Sequence, residues 1–361
     1  MGLLRSGMGM FNLLREINLG QIRHEADQPF TLRVLGDGGR ALRLAEALSA
    51  APGKAGVHPW LRVEPLADAA AAASLAGPAT GEGFCVALLC LDGLEPDAAA
   101  RAAQSRLRAV GVPVLTVAED AEAATRVGAG VPRADNRVRV AVPPGLAPAP
   151  LVARVAPALL PLLPPDDGTR VALARQLPAL RSAVIASLTD ATARANAVYA
   201  ATTGLAEWVP VLNVPLNAAD VVVLTKNQLI MAYKIALAAG KQGQPRDVVG
   251  EIVSVIGGGL LFRQVARELI GLIPVIGIVP KVAVAFAGTR VIGAVVERWA
   301  LEGRRIEADE VRALLTEAKA GARELAEAIV ERARGRGGDG PDHPPAPPAL
   351  PPPSDEPGEP V

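Results

Sequence analysis

From Phe30 to about Pro165, short apolar runs alternate with alanine-rich stretches whose apolar positions recur every three or four residues. Runs of this length, rich in Val and Leu, predict strands, and the stretches between them predict helices, the pattern of βαβ units around a mainly parallel sheet. Strands are expected at Thr31–Leu35, Leu61–Leu66, Phe84–Leu91, Val112–Val117 and Val138–Val142. Helices are expected at Arg40–Ala50, Ala67–Leu75, Asp97–Val110, Ala121–Val127 and Ala149–Leu163.

After the Pro-Pro-Asp-Asp-Gly break at Pro164–Gly168 the strand signals stop and helical periodicity takes over. Leu173, Leu177, Leu180, Val184 and Leu188 step by three or four residues, which predicts one apolar stripe on one long helix. A second helix is expected from Asn217, an N-cap with Asp220 three residues on, to just before Gly240. The most apolar helices fall between Val248 and Glu302. A last amphipathic helix, Glu307–Arg334, places Val311, Leu314, Ala318, Ala322, Leu325 and Ile329 on one face. Four zones result: an arm over 1–29, an α/β domain over 30–165, an all-α domain over 170–334 and a tail over 335–361. The tail is Gly, Pro and acid, a composition that cannot bury a core and is expected to be disordered.

The stretch Trp208–Trp299 is too apolar for an ordinary surface and too charged for a plain membrane span. Within it, Leu269–Thr289 reads LIGLIPVIGIVPKVAVAFAGT and is long enough to cross a hydrocarbon core. Its Leu, Ile, Val and Phe residues favour insertion by roughly 3 to 7 kcal/mol, against about 3 for the central Lys281. Pro274 and Pro280 each remove a backbone donor and predict a bend. Arg263, Arg267 and Glu268 would together cost roughly 8 to 10 kcal/mol at a bilayer centre, so that turn is expected to face protein or water. The balance predicts a conditional membrane segment and a place on the cytosolic face of the membrane, peripheral or integral. Asp220 reads as a helix cap or as the partner of Lys226 or Arg263, and Asn227 and Gln228 as polar contacts between helices.

Composition removes several classes of function. Lysine plus arginine equals aspartate plus glutamate, 37 each, so no basic excess suggests a nucleic-acid partner. Cys85 and Cys90 lie five apart in one predicted strand, about 16 Å between Cα atoms, which excludes a disulfide and fits a reducing compartment. His24, His58 and His343 lack ligand spacing, and no nucleophile motif is present, so neither a metal, a cofactor nor catalysis is expected. Gly2 and Ser6 match a myristoylation pattern that is short enough to recur by chance.

In FCVALLCLDGLEPDAAARAAQSRLRAVGVPVLTVAED a strand ending in Asp92 leads through a helix to a second strand, and VRVAVPPGLAPAPLVARVAPALLPLLP supplies a last strand and closing helix. This order resembles the second half of an Era-like P-loop GTPase. The resemblance implies a phosphate loop after the first strand, where this chain has Gly36-Asp37-Gly38-Gly39-Arg40-Ala41-Leu42. Ala41 and Leu42 stand where the family's Lys and hydroxyl belong, and Asp37 sets an anion beside the phosphate position. Gly36, Gly38, Gly39 and Arg40 remain candidates for phosphate contact. Thr116-Val117-Ala118-Glu119 stands at the position of the family's Asn-Lys-x-Asp, with only the carboxylate retained.

Further on, NVPLNAADVVVLTKNQLIMAYKIALAAG and GGGLLFRQVARELIGLIPVIGIVPKVAVAFAGTRVIGAVV resemble the YcjF-like domains of unknown function that follow GTPase modules. Pro215, Asp220, Leu224, Thr225, Gln228, Met231, Arg263, Pro274, Gly277, Thr289 and Gly293 carry the likeness. It implies a membrane-associated helical module without known catalysis. Asp220, Lys226, Gln228, Arg263, Arg267, Pro274, Gly277, Pro280, Lys281 and Thr289 are its candidates for membrane or helix contact. The expectation is thus a membrane-associated, non-catalytic scaffold or regulator with a degenerate GTPase-like domain, acting through a protein partner or a second copy. A nucleotide switch with an atypical loop and a soluble helical regulator stand as alternatives.

Overall fold

The computed structural model describes residues 15–37, 39–53, 56–66, 84–93, 95–121, 131–132, 138–206, 218–256 and 278–335. Five strands run parallel: β1 (Phe30–Leu35), β2 (Leu61–Glu64), β3 (Phe84–Asp92), β4 (Val114–Glu119) and β6 (Val138–Val142). A two-residue strand, β5 (Val131–Pro132), pairs antiparallel with β6, and the sheet order is β2-β1-β3-β4-β6-β5. Parallel strands covered on both faces read as continuous apolar runs. In β3, Val86, Leu88 and Cys90 enter one core while Ala87, Leu89 and Leu91 enter another on the opposite face. The period of two thus divides a single apolar run between two layers.

Helices α2 (Arg40–Ser49) and α4 (Pro148–Leu159) cover the first face with Leu44, Leu48, Val152, Val155 and Leu159. Helix α3 (Ala98–Ala109), capped by Asp97 Oδ1 accepting from the Ala100 N–H at 2.7 Å, covers the second with Ala100, Ala103 and Leu107. The helices expected over Ala67–Leu75 and Ala121–Val127 lie almost wholly outside the described residues, and the Pro-rich tail lies outside them altogether.

Beyond the sheet are α5 (Asp167–Gln176), α6 (Arg181–Ala206), α7 (Ala218–Ala238), α8 (Pro245–Ile256), α9 (Ile278–Glu302) and α10 (Ala308–Gly335). A short α1 (Leu19–Ala26) rests on α5. One apolar cluster runs from Phe30 and Leu44 at the sheet through Leu173 and Leu177 to Tyr233, Ile252 and Trp299. The expected single helix through Leu173–Leu188 is two. Pro178 cannot donate a backbone hydrogen bond and drives Leu177 out of the helical region, to φ −114° and ψ 89°. The stripe survives the break, because all five of its residues are buried.

The expectation of a membrane-spanning helix is overturned. Among the described residues no helix is long and apolar enough to cross a membrane. Residues 269–277 of the expected insertion lie outside the description, and its second half begins α9. Helix α9 is apolar on opposite sides because protein covers both. Val282, Phe286, Ala287, Val291 and Val295 pack with Ala193, Ala197 and Ala201 of α6 and with Val311, Leu315 and Ala318 of α10. Ile292, Val296 and Trp299 enter the main core instead. Hydropathy measures a side chain's preference for leaving water, and here a helical bundle satisfies it.

Helices α6 and α9 touch at Gly293, where a Cβ would lie 2.4 Å from Thr189 Cγ2 and 2.6 Å from its Oγ1. Replacing Gly293 with Ala should therefore force the helices apart and cost about 1–3 kcal/mol of stability, by overpacking. Urea unfolding of the two proteins would measure it; equal midpoints and slopes would contradict the close crossing.

Candidate functional site

Open α/β sheets bind ligands beyond the carboxyl ends of their strands, at the point where successive crossovers diverge. In this sheet that point lies between β1 and β3. The chain leaves β1 through Gly36, whose N–H donates to the Glu64 carbonyl at 3.1 Å. A Cβ at Gly36 would meet both the Cβ and the carbonyl oxygen of Cys90 at 2.9 Å, so glycine lets the loop press against β3 and close the crevice. Asp37 turns aside, its Oδ1 accepting from the Leu66 N–H at 3.4 Å. Gly38 lies outside the described residues; Gly39, at φ 77°, leads into α2.

Arg40, the first residue of α2, points across the strand ends. Its Nη2 lies 2.7 Å from Asp92 Oδ2, at the end of β3, and its Nε donates to Glu119 Oε2 at 3.2 Å, at the end of β4. Arg43, one turn on, donates from Nη2 to Glu119 Oε1 at 2.6 Å. Each oxygen of Glu119 therefore takes one guanidinium. Glu119 is 18% exposed and Asp92 76%, so the two halves of the cluster differ in strength. The Asp92 arm resembles a surface pair worth about 0–1 kcal/mol. In the Glu119 arm the Arg40 bond is part-buried and, as a charge-assisted hydrogen bond, contributes roughly 1.5–3 kcal/mol, whereas the Arg43 bond is exposed and adds about 0–1 kcal/mol.

Beneath the cluster is a cavity of about 20 Å³ lined by Arg40, Arg43, Cys90, Val117, Glu119 and Val142, among others. That is water-sized, whereas ligand pockets run to roughly 300–1,000 Å³. The Cys90 thiol is pushed up to about 12 by burial first and by the Glu119 carboxylate second, with Arg43 and Arg40 opposing. Cys85 is raised as well, chiefly by burial, and both cysteines are free. A thiol so placed stays protonated and is a poor nucleophile. Among the described residues no His, Cys, Asp and Glu cluster could hold a metal.

A second polar constellation sits inside the helical layer. Thr289 Oγ1 accepts from Asn196 Nδ2 at 3.0 Å and from Gln228 Nε2 at 3.1 Å, and donates to the Ala285 carbonyl at 2.7 Å. Asn227 Nδ2 donates to Asn196 Oδ1 at 2.8 Å. Gln228 and Thr289, both candidates from the sequence, thus meet, while Asn196 escaped notice because it stands alone in an alanine-rich helix. Lys226 reaches Glu16 at 3.3 Å. Arg263, Arg267, Pro274 and Gly277 lie outside the described residues, and the side chains of Asp220, Pro280 and Lys281 lie outside what is described. Glu119, the carboxylate retained at the Asn-Lys-x-Asp position, pairs with Arg40 and Arg43 without any local signal, since those residues lie 79 and 76 positions away.

The chain matches no family model, no curated protein and no solved structure.

Thr289→Val keeps the shape and leaves the Asn196 and Gln228 donors without their acceptor; it should cost about 2–4 kcal/mol, measurable as a lowered urea midpoint. Cys90 gives a pH signature. Its folded value lies above its usual 9.0, so the unfolded chain loses the proton first and stability falls as pH rises from about 9 towards 12. At pH 8.5 Cys90 should react with iodoacetamide roughly a thousandfold more slowly in the folded chain than in urea, as read by mass spectrometry. Comparable rates would contradict the buried placement.

Proposed function

We propose that this chain is a non-catalytic regulatory protein that acts by binding another protein, built on a GTPase-like sheet whose ligand crevice is filled by its own side chains. The observation that carries the reading is Glu119 bridging Arg40 and Arg43. The guanidinium nearest the expected phosphate position is committed to internal carboxylates, and a bound anion would have to displace Glu119 against that pairing. The Gly36 contact with Cys90 closes the same crevice sterically. The parallel strand order, and the strand-helix-strand succession from β3 to β6, support kinship with GTPase modules. The absence of a Lys and a hydroxyl after Gly39 supports the loss of phosphate chemistry.

Calorimetric titration of the full chain with GTP and magnesium tests this directly. No saturable binding is expected below about 1 mM, a free energy weaker than roughly −4 kcal/mol. Stoichiometric binding in the micromolar range would overturn the reading.

A further inference from the structure

Helix α1 lies across α5 and reaches α7 and α8. Its apolar side is small: Ala26 is buried, and Leu19 and Ile22 pack at the margin of the core. Polar contacts do much of the holding. Arg23 Nη1 donates to the Gly243 carbonyl at 2.6 Å, Arg175 Nε lies 3.1 Å from Asp27 Oδ1, and Lys226 Nζ lies 3.3 Å from Glu16. The helix is seated directly on α5, since a Cβ at Gly168 would lie 2.8 Å from Glu25 Cβ.

The surface around this seat is polar and incompletely satisfied. Tyr233 is fully buried and its hydroxyl makes no hydrogen bond of good geometry among the described residues, although the Arg23 guanidinium lies beside it. Arg170 Nε is also buried without a partner there. Arg181 is held below its usual range, by burial first and by neighbouring Arg175 second. Of the nearby acids, Asp167 is already taken by Lys234 at 2.8 Å. The carboxylate that answers Arg175 is Asp27, and it arrives with α1 itself.

We propose that the face beneath α1 is a docking site for an amphipathic helix of a partner protein that carries an acidic residue just past its apolar side, and that α1 fills this site as an internal stand-in. Helix α1 itself supplies the template for the partner. Leu19, Ile22 and Ala26 supply the apolar stripe at helical spacing, and Asp27 supplies the acid that meets Arg175. The buried Tyr233 hydroxyl, left unpaired with Arg23 of α1 beside it, opposes closure of α1, which keeps the strap exchangeable. The inference rests on the reading that the chain acts by binding protein, but it concerns a face remote from the crevice. Nucleotide titration and helix docking therefore fail independently.

The test uses the full chain and a fluorescent peptide of residues 15–29. Ile22→Glu should eject α1 in cis, and the peptide should then bind that variant roughly tenfold or more tightly than it binds the unaltered chain. Asp27→Asn in the peptide, or Arg175→Gln in the Ile22→Glu chain, should weaken binding about five- to tenfold. Equal binding to both chains, or indifference to Asp27, would overturn the proposal. Should Ile22→Glu fail to fold, hydrogen exchange of the unaltered chain decides: α1 amides should exchange roughly tenfold or more faster than those of α5 and α7, and equal protection would overturn it. A dimer that Ile22→Glu dissolves would instead make a second copy the occupant, and would also overturn it.

Discussion

The closeness of α6 to α9 is the constraint on which the helical half depends. Thr289 and Gly293 are four residues apart, on one face of α9, and meet Asn196 and Thr189, seven apart on α6. The absent side chain sets the distance between the helices, and the hydrogen bonds set their register. Shape alone would let two alanine-rich helices slide by a turn. A buried Asn and Thr that must find each other penalise any such slip, because the slipped state would leave both unpaired in a dry core. With α6 in place, α10 closes the far side, and the apolar residues of α9 on both flanks are withdrawn from water.

Much of the sheet was legible because its signals are local. The five parallel strands are short runs led by Val and Leu, and their observed limits differ from expectation by at most two residues; the two-residue β5 carried no such signal. Strand β2 stops two residues earlier, at Glu64, before Pro65. The limits of α2 and α3 were similarly readable, whereas α4 gives way at Leu159 to a 3-10 turn over Leu160–Leu162, four residues before its expected end. The break at Pro178 was missed because the apolar stripe continued through it, and periodicity reports which residues are buried, not whether the backbone between them is unbroken. The larger error concerned α9. A helix surrounded by protein and a helix surrounded by lipid carry similar side chains, and the sequence holds no record of which neighbour covers them.

The charge arrangement was invisible for a different reason. Overall neutrality says nothing of where charges meet. Arg40 finds Glu119 and Arg175 finds Asp27 only after distant segments are brought together by the apolar core. The two clusters behave differently. At the strand ends, one carboxylate answers two guanidiniums and the site is complete. Beside α1, the carboxylate that answers Arg175 is Asp27, at the end of α1 itself, so that pairing depends on an element held at the periphery, and the Tyr233 hydroxyl is left over even then.

The last strand of the sheet bears on how the chain keeps to itself. A parallel sheet ends in two rows of unpaired backbone groups, which invite another chain to extend it. Past β6 that row is met by β5, only two residues long and running the opposite way, and one of the two is Pro132, which has no N–H to offer. At the other margin β2 is four residues long and presents Arg62 and Glu64 along it. Among the described residues neither rim offers a long, flat, apolar template. These two strands are therefore poor seeds for fibrous growth, and a crowded cell could hold many copies without their sheets joining edge to edge through them.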